Sequence, residues 1–158
     1  RLDIFGPVRD QNYWARCRRL IEDLPPNVAV EYHGSVNPPE VGDTLARYDL
    51  LFLPTLGENY GHVIVESLTV GTPVLISDRT PWRGLDEQGV GWDESLEDGE
   101  AQFAKRLLEF SMEPENQRAL RRKRAMRFGQ DVVSDPNSVE ANRRLFQTAY
   151  RDKRNCSG

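Results

Sequence analysis

Cysteine is scarce in this chain. Cys17 and Cys156 are the only two in 158 residues, and they form neither a CxxC pair nor a metal-ligand spacing with the two histidines. A disulfide framework is thereby excluded, and a reducing, cytoplasmic setting is the simple reading. A basic excess is also missing. Lys and Arg total 21 against 25 Asp and Glu, and the resulting net charge of -4 argues against a general nucleic-acid binder. No apolar run approaches the roughly 20 residues that a membrane-spanning helix needs. The opening Arg1-Leu2-Asp3-Ile4-Phe5-Gly6 does not have the layout of a signal peptide. Internal repeats and low-complexity tracts are absent.

What remains is an ordinary globular composition, 38% hydrophobic and 29% charged, enough to bury the core of one domain. The chain opens on Arg1, without an initiator Met, and passes straight into a strand. We expect it to be part of a longer protein with a second domain.

Leu2 to Phe5 reads as a short strand closed by Gly6-Pro7. From Asp10, residues Tyr13, Trp14, Cys17, Leu20, Ile21 and Leu24 recur at helical spacing until Pro25-Pro26 ends the helix. Val28 to His33 is a second strand, broken by Gly34, and Pro39 opens a helix carrying Val41, Leu45 and Tyr48 on one face. Leu50 to Leu53 is a third strand, Val63 to Val70 a short helix stopped by Gly71 and Pro73, and Pro73 to Ser77 a fourth strand. Asp78 to Gly84 is a polar loop, and Gly89 to Trp92 a short fifth strand weakened by its two glycines. Helices follow over Glu100 to Phe110, Pro114 to Phe128 and Ser138 to Tyr150. Strands and helices alternating at short loop lengths predict an α/β fold, a Rossmann-like doubly wound parallel sheet with helices on both faces.

The centre of this pattern is Leu50 to Glu66. The loop between the third strand and its helix holds Gly57, Gly61 and the acid Glu58. In a doubly wound fold that loop lies past the carboxyl end of a strand and at the amino end of a helix, where ligands bind. Gly57 and Gly61 permit positive φ and a close approach to the main chain, and the free N–H groups of the first helical turn suit a phosphate. Glu66 lies about one turn into a helix that begins with Val63, Ile64 and Val65. Two readings stand for it: a carboxylate that accepts from the vicinal hydroxyls of a ribose, or a member of the one solvent-facing stripe.

Glu58 and Glu66 are separated by seven residues. Pro54-Thr55, Glu58-Asn59-Tyr60-Gly61, Glu66-Ser67-Leu68 and Gly71-Thr72-Pro73-Val74-Leu75 follow in order. This block resembles the Glu-x7-Glu region of retaining, GT-B fold glycosyltransferases of family 4, and the resemblance extends from Leu2 to about Tyr150. It implies the carboxyl-terminal, donor-binding half of such an enzyme. Glu66 is then similar to the ribose-binding carboxylate, and Gly61, His62 and Val63 supply main-chain N–H groups to the diphosphate. Glu58 is similar to the catalytic-region glutamate beside the transferred sugar. Gly34, Ser35 and Val36 stand where the family holds the base. Asn59 and Tyr60 depart from the common Gly-Phe and leave the sugar open. The implied donor is a nucleotide-diphosphate sugar, with no metal and no cofactor. The implied acceptor is a saccharide or a lipid-linked molecule held by an amino-terminal domain, so this chain alone is expected to bind donor weakly and catalyse nothing.

Other readings compete. A sugar-nucleotide epimerase shares such a nucleotide pocket. A receiver-like module without chemistry needs an acid at a strand end, where this chain has Pro54-Thr55 and Gly6-Pro7. Trp82 either walls the crevice or packs on the domain's own helix. The basic run Arg118, Arg121, Arg122, Lys123, Arg124 and Arg127 reads as a solvated helix face offset by Glu113 and Glu115, or as a peripheral contact with the inner face of a membrane.

Overall fold

The computed structural model describes residues 1–134, and the helix expected over Ser138 to Tyr150 lies outside them, as does Cys156. Contacts divide the chain into two compact units, Arg1–Val41 and the residues from Gly42 onward.

In the first unit, β1 (Leu2–Phe5) pairs in parallel with β2 (Val30–Gly34), with Asp3 opposite Glu31 and Ile4 opposite Tyr32. Between them runs α1 (Gln11–Glu22), whose amino end is capped by Asp10 accepting from the Tyr13 N–H at 2.9 Å. The second strand begins two residues later than expected because Val28 N–H is spent on a turn to the Pro25 carbonyl. Trp14 packs on Tyr32 with ring centroids 4.7 Å apart, and the Tyr32 hydroxyl donates to the Gly6 carbonyl.

The expected helix from Pro39 is instead a 3-10 turn, Pro38–Glu40, followed by a single short α2 (Val41–Leu45). Arg47 and Tyr48 N–H groups reach back three residues to Thr44 and Leu45, which tightens the chain and leaves Tyr48 outside the helix.

The second unit is built on three parallel strands, β3 (Leu51–Leu53), β4 (Val74–Ser77) and β5 (Gly91–Glu94), with β4 in the middle and wholly buried. The period-2 alternation of β4 sends Val74 and Ile76 to one face and Leu75 to the other. The first face packs against α3 (His62–Thr69), α4 (Leu85–Gln88) and α6 (Glu115–Ser134) through Ile64, Leu68, Leu85 and Ala125. The second packs Leu75 and Trp92 against Phe103 and Phe110 of α5 (Glu100–Ser111). Parallel strands with helices on both faces give the α/β class expected from the sequence.

Helix α4 was not foreseen. Its amino end is capped from a distance, by the Asp93 carboxylate accepting from the Gly84 and Leu85 N–H groups, and its carboxyl end by Gly89 at φ 67°. Gly89 therefore ends a helix instead of starting a strand, and β5 begins at Gly91. Helix α6 crosses α3 at Gly129, where an added Cβ would lie 2.4 Å from the Thr69 nitrogen.

The basic run of α6 is largely committed to the fold. Arg118 pairs with the exposed Glu115, as on a solvated face, whereas the Arg121–Glu113 pair is mostly buried and departs from that reading. Arg122 donates to the carbonyls of Ala46 and Tyr48, satisfying groups left open after α2. Among the described residues no helix is long and apolar enough to cross a membrane.

Candidate functional site

The loop from Pro54 to Gly61 leaves β3 and is held from beneath by β4 and the segment after it. Ser77 Oγ donates to the Thr55 carbonyl at 2.5 Å. Glu58 N–H donates to the Arg79 carbonyl at 3.0 Å, and Trp82 Nε1–H to the Tyr60 carbonyl at 2.6 Å. Three tethers from one neighbouring segment fix a loop that has little buried side chain of its own. The sequence marked Trp82 as a wall or a packing residue, whereas Ser77 and Arg79 carried no signal, because an Oγ and a main-chain carbonyl have no motif.

Gly61 adopts the left-handed conformation, φ 76° and ψ 57°, at the position just before α3. A Cβ there would sit 2.6 Å from Ile64 Cδ1, so glycine is required by both backbone and space. Gly57 does not have positive φ, contrary to the expectation for that residue. Its backbone is closed instead by the Thr55 hydroxyl.

Helix α3 has no side-chain cap. Its first intrahelical bonds run from Ile64 and Val65 to the Gly61 carbonyl, which leaves the N–H groups of His62 and Val63 at the helix amino end for another acceptor. Ile64, Val65 and Leu68 bury the inner face, while His62 and Glu66, four residues apart, share the exposed one. The His62 ring lies 4.9 Å from that of Tyr60. Glu58, Asn59 and Glu66 are exposed, and neither glutamate side chain has a hydrogen-bond or ion-pair partner among the described residues. The helix end contributes roughly half a positive charge to this region. The chain thus gathers Glu58, Asn59, Tyr60, Gly61, His62, Val63 and Glu66 on one loop and the helix that follows it.

Gly34, Ser35 and Val36 belong to the first unit, at the carboxyl end of β2. Gly34 has φ 73°, and its carbonyl accepts from the Gly6 N–H at 2.8 Å. The same unit holds a cluster that the sequence reading missed. Asp3, Glu31 and His33 project from one face of the β1–β2 ladder, with His33 Nε2 3.0 Å from Asp3 Oδ1. The Arg1 guanidinium spans both carboxylates at 2.9 and 2.8 Å and supplies their positive counter-charge.

At the far end of β5, Arg106 pairs with Glu94, Asp86 and Glu109. Its pKa is raised, first by the Glu94 hydrogen bond, against an opposing effect of burial.

Against this geometry, the family model "Glycosyl transferases group 1" matches residues 1–126. The chain belongs to that family. No curated protein sequence matches it. Among solved structures, this group 1 glycosyl transferase chain is similar to the one described as "Crystal structure of Anabaena Alr3699/HepE in complex with UDP-glucose". The TM-score is 0.66 at 20% identity, a likeness of fold, and the alignment covers 94% of this chain. It covers 40% of the neighbour, so the group 1 chain spans less than half of that protein's length.

Proposed function

We propose that this chain is the donor-binding half of a glycosyltransferase that moves a sugar, a hexose in our reading, from a nucleoside diphosphate to an acceptor. The reading goes further and assigns it to the retaining, family 4 branch, serving polysaccharide, lipopolysaccharide or another glycoconjugate. The observation that carries it is the amino end of α3: an uncapped helix start behind a left-handed Gly61, with the unpartnered Glu66 on the exposed face beyond it. Membership of a transferase family favours this reading over an epimerase or a binding module without chemistry. The UDP-glucose bound by the similar Anabaena protein makes uridine the first base to try.

In this reading the N–H groups of Gly61, His62 and Val63 receive the diphosphate, and the helix dipole stabilises its charge as the glycosidic bond breaks. No metal is called for in this reading, because the helix end carries that stabilisation. Glu66 accepts from the 2′ and 3′ hydroxyls of the ribose, Glu58 stands beside the transferred sugar, and Asn59 and Tyr60 select among its hydroxyls. The acceptor, a saccharide or a lipid-linked molecule, is bound by another part of a longer enzyme working at the cytoplasmic face, so turnover by this chain alone would contradict the proposal.

Titration with uridine, guanosine and adenosine diphosphates, followed by two-dimensional NMR, tests it. The expected result is a shift of the Gly61, His62 and Glu66 amides with one nucleotide. Unchanged spectra with all three at millimolar concentration would overturn the reading.

A further inference from the structure

Trp82 lies in the segment after β4, outside the Glu58 to Glu66 block, and its side chain reaches that block at Tyr60. Its Nε1–H donates to the Tyr60 carbonyl at 2.6 Å. The described chain contains no cis peptide, so the Tyr60–Gly61 peptide is trans and its carbonyl and the Gly61 N–H point in opposite directions. Holding the carbonyl on the indole therefore sets the direction of that N–H. Gly61 is buried, yet its N–H has no protein acceptor among the described residues. A backbone donor with no acceptor in the chain calls for one from outside it. A left-handed residue followed by a right-handed helical one also turns successive N–H groups into a concave nest that fits an anion.

The indole is itself immobilised. Trp82 N–H donates to Thr80 Oγ1, and the ring meets Tyr60 at 5.8 Å and Phe128 of α6 at 6.4 Å, edge to face in both cases. A Cβ on Gly61 would lie 3.4 Å from Nε1, so the peptide rests directly on the ring.

We propose that Trp82 is a positioning residue for the donor diphosphate: through the Tyr60 carbonyl it aims the Gly61 N–H, beside those of His62 and Val63, at a phosphate oxygen. This rests on the donor-binding reading above. It adds a residue to the site that touches neither sugar nor nucleotide and ties the loop to α6.

The test uses the whole chain, labelled with nitrogen-15, as wild type and as Trp82→Phe, which keeps an aromatic edge and removes the donor. Should that variant fold poorly, benzothienylalanine at position 82 replaces only the indole N–H by sulfur. Dissociation constants are measured for uridine, guanosine and adenosine diphosphates and for the matching nucleosides. With wild type, the Gly61 amide is expected to move downfield with the diphosphate that binds. In the variant, affinity for that diphosphate falls about fivefold to tenfold, as for one hydrogen bond to a charged group. Affinity for the bare nucleoside stays the same, which a general loosening of the fold would not produce. If wild type binds and the variant either matches it or loses nucleoside and diphosphate alike, the positioning role is overturned and the donor reading stands. If wild type binds no nucleotide, the donor reading fails and takes this role with it.

Discussion

The first unit and the second share one grammar, parallel strands joined through helices, yet they differ in depth. Residues 1–41 contain no buried apolar residue, and Leu2, Phe5, Tyr13, Leu20, Leu24, Val28 and Tyr32 are each at least 39% exposed. From Gly42 onward, Ile64, Leu68, Leu75, Ile76 and Leu85 are at 0%. Alternating polar and apolar residues is sufficient to define strands and a helix, but a core needs layers on both faces of a sheet. The first unit relies on polar contacts, the Asp10 cap, the Tyr32 hydroxyl and the Arg1, Asp3, Glu31 and His33 cluster, beside the aromatic pair Trp14 and Tyr32. The second is held by packing so close that backbone touches backbone.

Substitutions that add or remove volume should separate the units. The largest effect is expected at Gly91, where a Cβ would lie 2.1 Å from the Val74 carbonyl oxygen inside the β4–β5 ladder. Gly91→Ala should cost more than about 3 kcal/mol, the upper end for overpacking, and its urea midpoint should fall accordingly. Leu68→Ala, which empties a fully buried site between α3 and its neighbours, should cost about 3 kcal/mol. Thr72 is buried and its hydroxyl donates to the Leu45 carbonyl at 2.8 Å, so Thr72→Val should cost about 1 to 2 kcal/mol in the same experiment. Leu20→Ser in the first unit, where Leu20 is 69% exposed, should stay within about 0.5 kcal/mol of wild type. A loss at Leu20 as large as that at Leu68 would mean that the first unit is buried in solution, and the contrast would be gone.

The sequence was most legible where short-range physics decides. Gly6-Pro7, Pro25-Pro26 and Gly71 with Pro73 bound elements because glycine and proline act on their own residue and its neighbours. The apolar runs of β3 and β4 stood out for the same reason. Helix α4 was hidden because its cap, Asp93, arrives from the strand that follows, and Gly89 was misread because a helix-ending glycine and a strand-weakening one look alike before the helix is known. The loop that carries Glu58 stood out as a candidate site through its glycines and acids. The Ser77, Arg79 and Trp82 tethers that shape it depend on β3 and β4 lying side by side, which no local pattern states. Arg122 makes the same point: within a basic run it looks like surface charge, and in the fold it closes two carbonyls more than 70 residues away.

The central claim is that Glu66 reads a ribose at the amino end of α3. The most direct measurement compares wild type and Glu66→Ala by calorimetry, each with the tightest-binding nucleoside diphosphate and with its 2′,3′-dideoxy analogue. The account predicts that wild type loses about tenfold in affinity when the hydroxyls are removed, roughly the 1.4 kcal/mol of a charge-assisted hydrogen bond, and that the variant binds both nucleotides equally weakly. Equal losses for the two nucleotides on mutating Glu66, with the hydroxyls still read by the variant, would contradict it.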